Sequence, residues 1–387
     1  MGCAEASIFI GQVIGDLFTG THHYIVYNSG IAVLPLHEGK APEYLIKRMK
    51  RMASAITNLI INEYGTATFL QRISDPLWFQ AFGTSMGYDW HSSGVTTVLT
   101  GVLRDVLSMD EHGVTVIGGK GKFMTLVPKE LEVMSEAGII HDHEAKALQR
   151  ASKITAKIDT AAVQSGYQLY HHAIFLDERD NWVIVQQGMN EVDRTARRYH
   201  WAQTQNFVDS PPEYIIGIKR QGILNMVDKE AERARKASLD AARERPSKIM
   251  AVCESAKRTT LDSFSDNKLP TIKGSIEYTF PSKVDWKTVK ALYENPPSTY
   301  DELLLKKGVG PSIIRALALF ASLIYGEKLS WRDPIKYSFA VGGKDGVPYP
   351  VDKATYDQAI KELEDLAKQA RLDANDKNWM LRKLASN

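Results

Sequence analysis

The chain has 387 residues, 44% of them hydrophobic and 24% charged, which is ample for a buried core and for two or three domains. Its 48 basic and 46 acidic residues nearly cancel, so a polyanionic partner would have to be met by a local basic surface rather than by net charge. Cys3 and Cys253 lie far apart and outside any CxxC or Cys/His spacing, which argues against a disulfide framework or a structural zinc, and no apolar run reaches the roughly 18 residues of a membrane span.

Residues 1–28 contain the apolar stretch Ser7 to Leu17 and no Lys or Arg, unlike a signal peptide with its basic segment. Two readings fit them: a lineage-specific extension, or translation from a start codon upstream of the real one. A cytoplasmic protein is expected. Leu45, Ile46, Met49, Met52, Ile56, Leu59 and Ile60 then recur at helical spacing behind Pro42 and predict a helix over 41–64. Ser74 and Asp75 before a proline mark another helix start, and a further helix is expected over 96–107. Just before it come Asp89, Trp90, His91, Ser92 and Ser93. Asp89 and His91 could orient a proton-transfer group or bind a divalent metal; the same residues could simply cap the next helix.

Residues 114–117 read as a strand running into the loop Gly118, Gly119, Lys120, Gly121, Lys122. Lys120 and Lys122 could hold a phosphate, but the P-loop pattern is missing, so no nucleotide cofactor is indicated, and a plain exposed turn is the alternative. Residues 167–176 and 182–187 are strand-like and flank the polar tract Asp177 to Asn181, which predicts a hairpin. If it closes symmetrically, His172 falls opposite Gln186 and His171 opposite Gln187, on opposite faces of the sheet. Asp159, Gln164, Tyr167 and Asn190 flank the hairpin and could complete a catalytic wall, with Asp159 the best candidate for a metal ligand or base. Arg194, Arg197 and Arg198 follow at i, i+3 and i+4, the spacing of one helix face, and with Tyr199, His200 and Trp201 they suit a surface for phosphates and stacked bases. Singly, each of these residues could equally be a satisfied core or surface group.

Residues 227–245 are rich in charge and alanine and predict an exposed helix ending before Pro246. Residues 254–285 have little apolar periodicity and read as a linker, and helices are expected at 286–294, 299–306, 311–325 and 353–370. Within the third region the Leu-x-x-x-Gly-Val-Gly-Pro core resembles a helix-hairpin-helix, a motif that grips a DNA or RNA backbone. Gly308 and Gly310 would allow the tight turn and expose backbone N–H groups at a helix N-terminus, where the dipole favours a phosphate oxygen. Val309 would plug the gap between the helices, Leu304, Ile314, Leu317 and Ala318 would pack it, and Lys306, Lys307, Ser312 and Arg315 would supplement the phosphate contact. An ordinary glycine-containing helix turn is the alternative. In base-excision glycosylases the same hairpin precedes a catalytic aspartate by about twenty residues, a spacing that Asp333 approaches, although it is as readily a turn residue. Ser312 stands where bifunctional glycosylases carry lysine, which rules out a Schiff base at that position.

The phrases GIAVLPLHEGKAP, DWHSSGVTT, GGKGK, QSGYQLYHH, VQQGMN, RRYHW, GVGPSIIRALAL and SWRDPIKYSFAVGGKDGVPYPVD resemble a mainly archaeal family catalogued as domain-of-unknown-function family 763. The resemblance runs from about Ser29 onward, which favours the start-site explanation for residues 1–28. It implies a DNA-associated role and supplies no catalytic residue.

The expected fold is therefore α+β: the segment 1–28, an N-terminal mixed α+β domain at 29–253, a linker at 254–285, and a mainly helical C-terminal domain at 286–387 containing the helix-hairpin-helix. The expected function is a DNA-binding repair or processing enzyme, a structure- or lesion-directed nuclease in which Asp89, His91, Asp159 and the tandem His171 and His172 bind Mg²⁺ or Mn²⁺ and activate water. A DNA glycosylase with a base-flipping pocket, a non-catalytic DNA-binding adaptor and an enzyme of phosphorylated small molecules are the alternatives, with RNA open as a partner in place of DNA.

Overall fold

The computed structural model describes residues 43–87, 93–192, 194–209, 214–265, 279–335 and 353–385. Four helices come first: α1 (Glu43–Tyr64), α2 (Thr66–Ser74), α3 (Pro76–Ser85) and α4 (Gly94–Val106). The carboxylate of Asp75 starts α3 by accepting from Leu77 N at 2.7 Å and Trp78 N at 3.1 Å, the capping role its place before Pro76 suggests. Strand β1 (Val114–Lys120) then leads into α5 (Lys122–Glu136) and α6 (Asp142–Lys157), and α6 widens into a π-helical turn, Ile158–Ala162. Strands β2 (Gln168–Asp177), β3 (Trp182–Asn190), β4 (Thr195–Ala202) and β5 (Tyr214–Ile216) complete the sheet. Six more helices follow: α7 (Glu232–Ala242), α8 (Pro246–Ser265), α9 (Trp286–Glu294), α10 (Tyr300–Leu305), α11 (Pro311–Tyr325) and α12 (Lys353–Gln369), and α13 (Ala374–Ala385) ends the described chain. The class is α+β.

The sheet is a five-stranded antiparallel meander in the order β1-β2-β3-β4-β5. Helices cover both of its faces, so alternate residues of every strand enter two separate cores. On one face Ile174, Leu176, Ile184, Tyr199 and Trp201 pack with residues of α6, α7, α8, α9, α10 and α11. On the other, Val114, Val116, Ala173, Phe175, Val183 and Val185 pack with α1 to α4 and with Leu363, Leu366, Met380 and Leu384 of α12 and α13. Each fully buried aliphatic or aromatic side chain contributes about 1.5–3 kcal/mol relative to exposure, and both faces carry many.

Three expectations are corrected here. The boundary at 254–285 does not separate two cores: α8 runs to Ser265, Cys253 within it is buried, and α9 to α11 share a core with the sheet. The C-terminal helices also do not form one body, because α9 to α11 join one sheet face and α12 and α13 the other. Helix α7 is not an exposed helix but packs on α11, burying Ala234, Ala237, Ser238 and Ala241, small side chains that let two helices approach closely. Among the described residues no helix is long and apolar enough to cross a membrane.

Candidate functional site

Three doublets on neighbouring strands dominate the middle of the sheet. Register pairs His172 with Gln186 and Tyr199, and His171 with Gln187 and Arg198. Since adjacent residues of a strand point to opposite faces, one polar row forms on each side. Lys120 is aligned with His171 and Gly119 with His172 on β1. Gly118 explains how β1 comes so near: its φ is +80°, and a Cβ there would lie 2.4 Å from the His172 carbonyl oxygen.

On the α6 and α11 face, Ser152, His172, Gln186 and Asp159 form a hydrogen-bonded chain. The Gln186 amide donates to Asp159 Oδ2 at 2.7 Å, and Trp201 Nε1 donates to the same oxygen at 2.9 Å. Gln186 Oε1 is thereby left to accept from His172 Nδ1 at 2.9 Å, which fixes the tautomer and makes His172 Nε2 the acceptor of the Ser152 hydroxyl, also at 2.9 Å. Asp159 owes its place to the π-helical turn, a local widening of the helix often found at functional sites. Burial pushes its carboxyl well above the usual range, against the pull of the Trp201 hydrogen bond and the nearby Arg197. Because Oδ2 already accepts two N–H groups, a retained proton belongs on Oδ1, which has no partner. Burial also lowers His172 to about 4, so the imidazole is neutral near pH 7 and can accept.

The same face ends in a buried ion pair. Arg197 donates to both oxygens of Asp333, at 3.1 and 2.7 Å, and stacks over Tyr167 with 4.7 Å from guanidinium carbon to ring centre. Asp333 also accepts from the backbone N–H groups of Arg220 at 2.8 Å and Ile335 at 3.3 Å. This carboxylate, considered above as a glycosylase aspartate, is fully committed to fastening the segment after α11 to the sheet.

On the opposite face, a β-bulge places Tyr170 and His171 together against Gln187. Gln187 donates to the Ser93 carbonyl at 2.9 Å and to the Tyr170 hydroxyl, and accepts from Thr96. His171 Nε2 meets Thr100 Oγ1 at 3.1 Å while its Nδ1 has no partner, and burial, the largest cause, lowers it to about 3. Arg198 has only neutral acceptors: Gln80 Oε1 at 2.9 Å, Thr96 Oγ1 at 3.3 Å and the Pro76 carbonyl at 3.3 Å. Desolvation brings it down to about 9.

The turn between α10 and α11 lies beside the first of these faces. Val309 is completely buried, Gly308 has a φ of +84°, and Gly310 precedes α11 in extended conformation with no side chain capping the helix. Lys307, Gly308 and Ser312 are exposed. The half-buried ammonium of Lys157 donates to the Val309 carbonyl, and Gln164 donates to the Pro311 carbonyl at 2.8 Å. Arg315 reaches Gln164 Oε1 at 3.4 Å and the Thr279 carbonyl at 2.9 Å. Gln164 therefore joins the turn to the segment that carries Asp159.

Residues 30–351 match the family described as Protein of unknown function (DUF763). The chain belongs to this family. No curated protein and no solved structure matches the chain.

The polar residues singled out from sequence divide into groups. Asp159, His172 and Gln186 meet on one face, with Tyr167 and Gln164 close in the chain; His171 and Gln187 meet on the other. Asn190 holds a turn by donating to the Gly166 carbonyl at 3.2 Å and accepting from Val192 N at 2.9 Å. Asp89 and His91 lie outside the described residues, as do residues 1–28. Among the described residues no three His, Cys, Asp or Glu groups come together to hold a metal. The donor set at Asp159 does not fit a divalent ion either, since one oxygen is taken by two N–H donors and the guanidinium of Arg197 is near.

The arginine expectation is overturned. Thr195–Ala202 is a strand, so Arg197 and Arg198 point to opposite faces, and both are buried, as is His200, whose Nδ1 meets the Ile73 carbonyl at 3.0 Å. They cannot form a surface for phosphates or bases; Arg194 alone of the three arginines is exposed. The Gly118 to Lys122 loop is also different: β1 continues to Lys120 and α5 begins at Lys122, with both lysines exposed. Sequence reasoning missed Ser152, Thr96, Thr100 and Lys157. Ser152 had a signal, since it falls four residues after Leu148 on the buried stripe of α6, where a hydroxyl needs an acceptor.

Proposed function

We propose that the protein binds nucleic acid in the cytoplasm, holding a DNA or RNA backbone at a helix-hairpin-helix made of α10, its turn and α11. One observation carries this reading: the N-terminus of α11 is uncapped by any side chain and opens to solvent at Ser312, with Lys307 exposed in the preceding turn and buried Val309 anchoring that turn. Exposed N–H groups at the positive end of a helix dipole suit a phosphate oxygen, and a backbone contact of this kind does not depend on base sequence. Lys307 and Ser312 stand ready to supplement it.

Fluorescence anisotropy with mixed-sequence duplex, single-stranded DNA and RNA tests the proposal. Gly310→Ala is the clean variant, because an added Cβ meets nothing within 4 Å and the backbone is extended. It should fold, yet place a methyl group beside the N–H groups and weaken binding about tenfold, a change of about 1.4 kcal/mol, on every sequence. Lys307→Ala should lower the salt dependence by about one phosphate contact. Unchanged binding in both variants, or weakening on some sequences only, refutes the hairpin as the docking element.

A second reading, processing of the bound strand, is favoured by Gln164, which touches both Pro311 and Arg315 and lies five residues from Asp159. Incubation with intact, nicked, branched and base-damaged DNA, with Mg²⁺, Mn²⁺ or chelator, decides it. Metal-dependent strand breaks support a nuclease, chelator-resistant abasic sites a glycosylase, and binding without product an adaptor.

A further inference from the structure

Helix α5 carries its charges against its own dipole. Its first turn begins with Lys122 and holds no acidic residue, and its last turn ends in Glu136 and holds no basic one. The reverse order would stabilise a helix by about 0.3–1 kcal/mol per charge. The other surface helices pair their charges along the helix: Lys47 with Glu43 in α1, Lys146 with Asp142 in α6, Lys236 with Glu232 in α7 and Lys290 with Glu294 in α9. On α5, Lys122, Lys129, Glu132 and Glu136 are all exposed, and among the described residues none of them closes such a pair.

The same helix also exposes apolar side chains. Phe123, Leu126 and Val133 are 42%, 37% and 53% exposed, and Ile139, just past the helix end, is 44% exposed. Leu126 and Val133 are seven residues apart and so lie on one stripe, with Lys122 and Lys129 beside them. Elsewhere α5 is well seated, packed on β1 and α6.

We infer that this outward face of α5 docks on the same face of a second copy, the two helices antiparallel about a two-fold axis near residues 129 and 130. That arrangement sets Leu126 against Val133 of the second copy, and the two-fold repeats the contact at the other end. It brings Lys122 to the Glu136 end of the opposing helix, Lys129 to Glu132, and each positive helix end to a negative one. What is unfavourable within one helix becomes complementary between two. A second copy is the occupant because the face supplies its own apolar stripe, opposite charges and opposed dipole. A single pair of helices of this length makes a small interface, so the dimer forms with rising concentration. The inference is independent of the nucleic-acid reading.

Sedimentation equilibrium of the full chain across a wide concentration range tests it. Leu126→Glu and Val133→Glu, both at exposed sites, should each weaken self-association at least about tenfold. Lys122→Glu and Glu136→Lys should each weaken it as well, and the double variant Lys122→Glu/Glu136→Lys should restore it, with circular dichroism unchanged throughout. The charge pair carries the test if Leu126→Glu fails to fold. A monomer at every concentration, or a dimer indifferent to all four substitutions, overturns the proposal.

Discussion

The two faces of the sheet are built from the same doublets, yet they solve the problem of buried charge differently. On the α11 face, buried Arg197 is matched by the equally buried carboxylate of Asp333; on the α3 face, buried Arg198 meets only an amide, a hydroxyl and a carbonyl. The first arginine keeps a raised affinity for its proton despite burial, helped by Tyr199 and Asp333, while the second falls to about 9. Identical residue types thus acquire different electrostatics from what the helices bring to them. Breaking an ion pair leaves an uncompensated charge; breaking a neutral contact leaves one hydrogen bond short.

The sharpest way to break this comparison is to remove one acceptor from each arginine. Asp333→Ala should destabilise the fold by about 3–5 kcal/mol in a denaturant titration, whereas Gln80→Ala, which withdraws a neutral acceptor from Arg198, should cost about 1–3 kcal/mol. Equal losses would mean that Arg197 and Arg198 are held alike. Replacing both Arg197 and Asp333 by apolar residues should recover much of the first loss.

Acid should act on both faces together. His171 is lowered to about 3, His172 to about 4, and His200 well below 6.5, each chiefly by burial. Between these values and 6.5 the unfolded chain binds more protons than the folded one, so stability must fall as pH falls below about 6.5. The slope is on the order of 1 kcal/mol per pH unit for each histidine. Asp159 works in the opposite sense, because its raised carboxyl binds a proton in the folded state first, but it is one group against three. Thermal melts at pH 7, 6 and 5 should therefore drop progressively, and His171→Gln and His172→Gln should each flatten the trend. A trend flattened by only one of them would make the two faces unequal in hydration.

The smallest effect distinguishes the histidines themselves. Thr100→Val removes the single hydrogen bond of His171 and should cost about 1–3 kcal/mol; Ser152→Ala leaves His172 tied to Gln186 and should cost about 0.5–1.5 kcal/mol. The reverse order, measured by denaturant midpoint, would show that His172 depends on Ser152 rather than on the amide.

Much of this was legible in the sequence where local rules suffice. The helix spacing of residues 286–325, the Asp75 cap and the pairing of His172 with Gln186 all came from turn chemistry and periodicity. Arg194, Arg197 and Arg198 misled because a spacing of three and four suits a helix, while RRYHW also suits a strand buried on both sides, and only the covering helices decide between them. The domain boundary misled for a similar reason: a polar stretch hides whether the helices beyond it join an existing core. Asp159 was chosen for its chemistry, but that it would meet Gln186 and Trp201 depends on the π-helical turn, which no residue pattern announced.

The doublets have one further consequence, for folding. Sliding β3 by a single residue against β2 would leave an amide opposite only one histidine, with Gly188 or Val185 opposite the other, and would turn every β3 side chain to the other face. Glycines add to that discrimination. Gly118 must face the His172 carbonyl and Gly188 must face Tyr167, whose Cβ would come within 3.0 Å of an added methyl. A one-residue slide of β3 would bring Gln187 or Met189 to the Tyr167 approach in place of Gly188, so the hairpin closes in the alignment that keeps both rows apart.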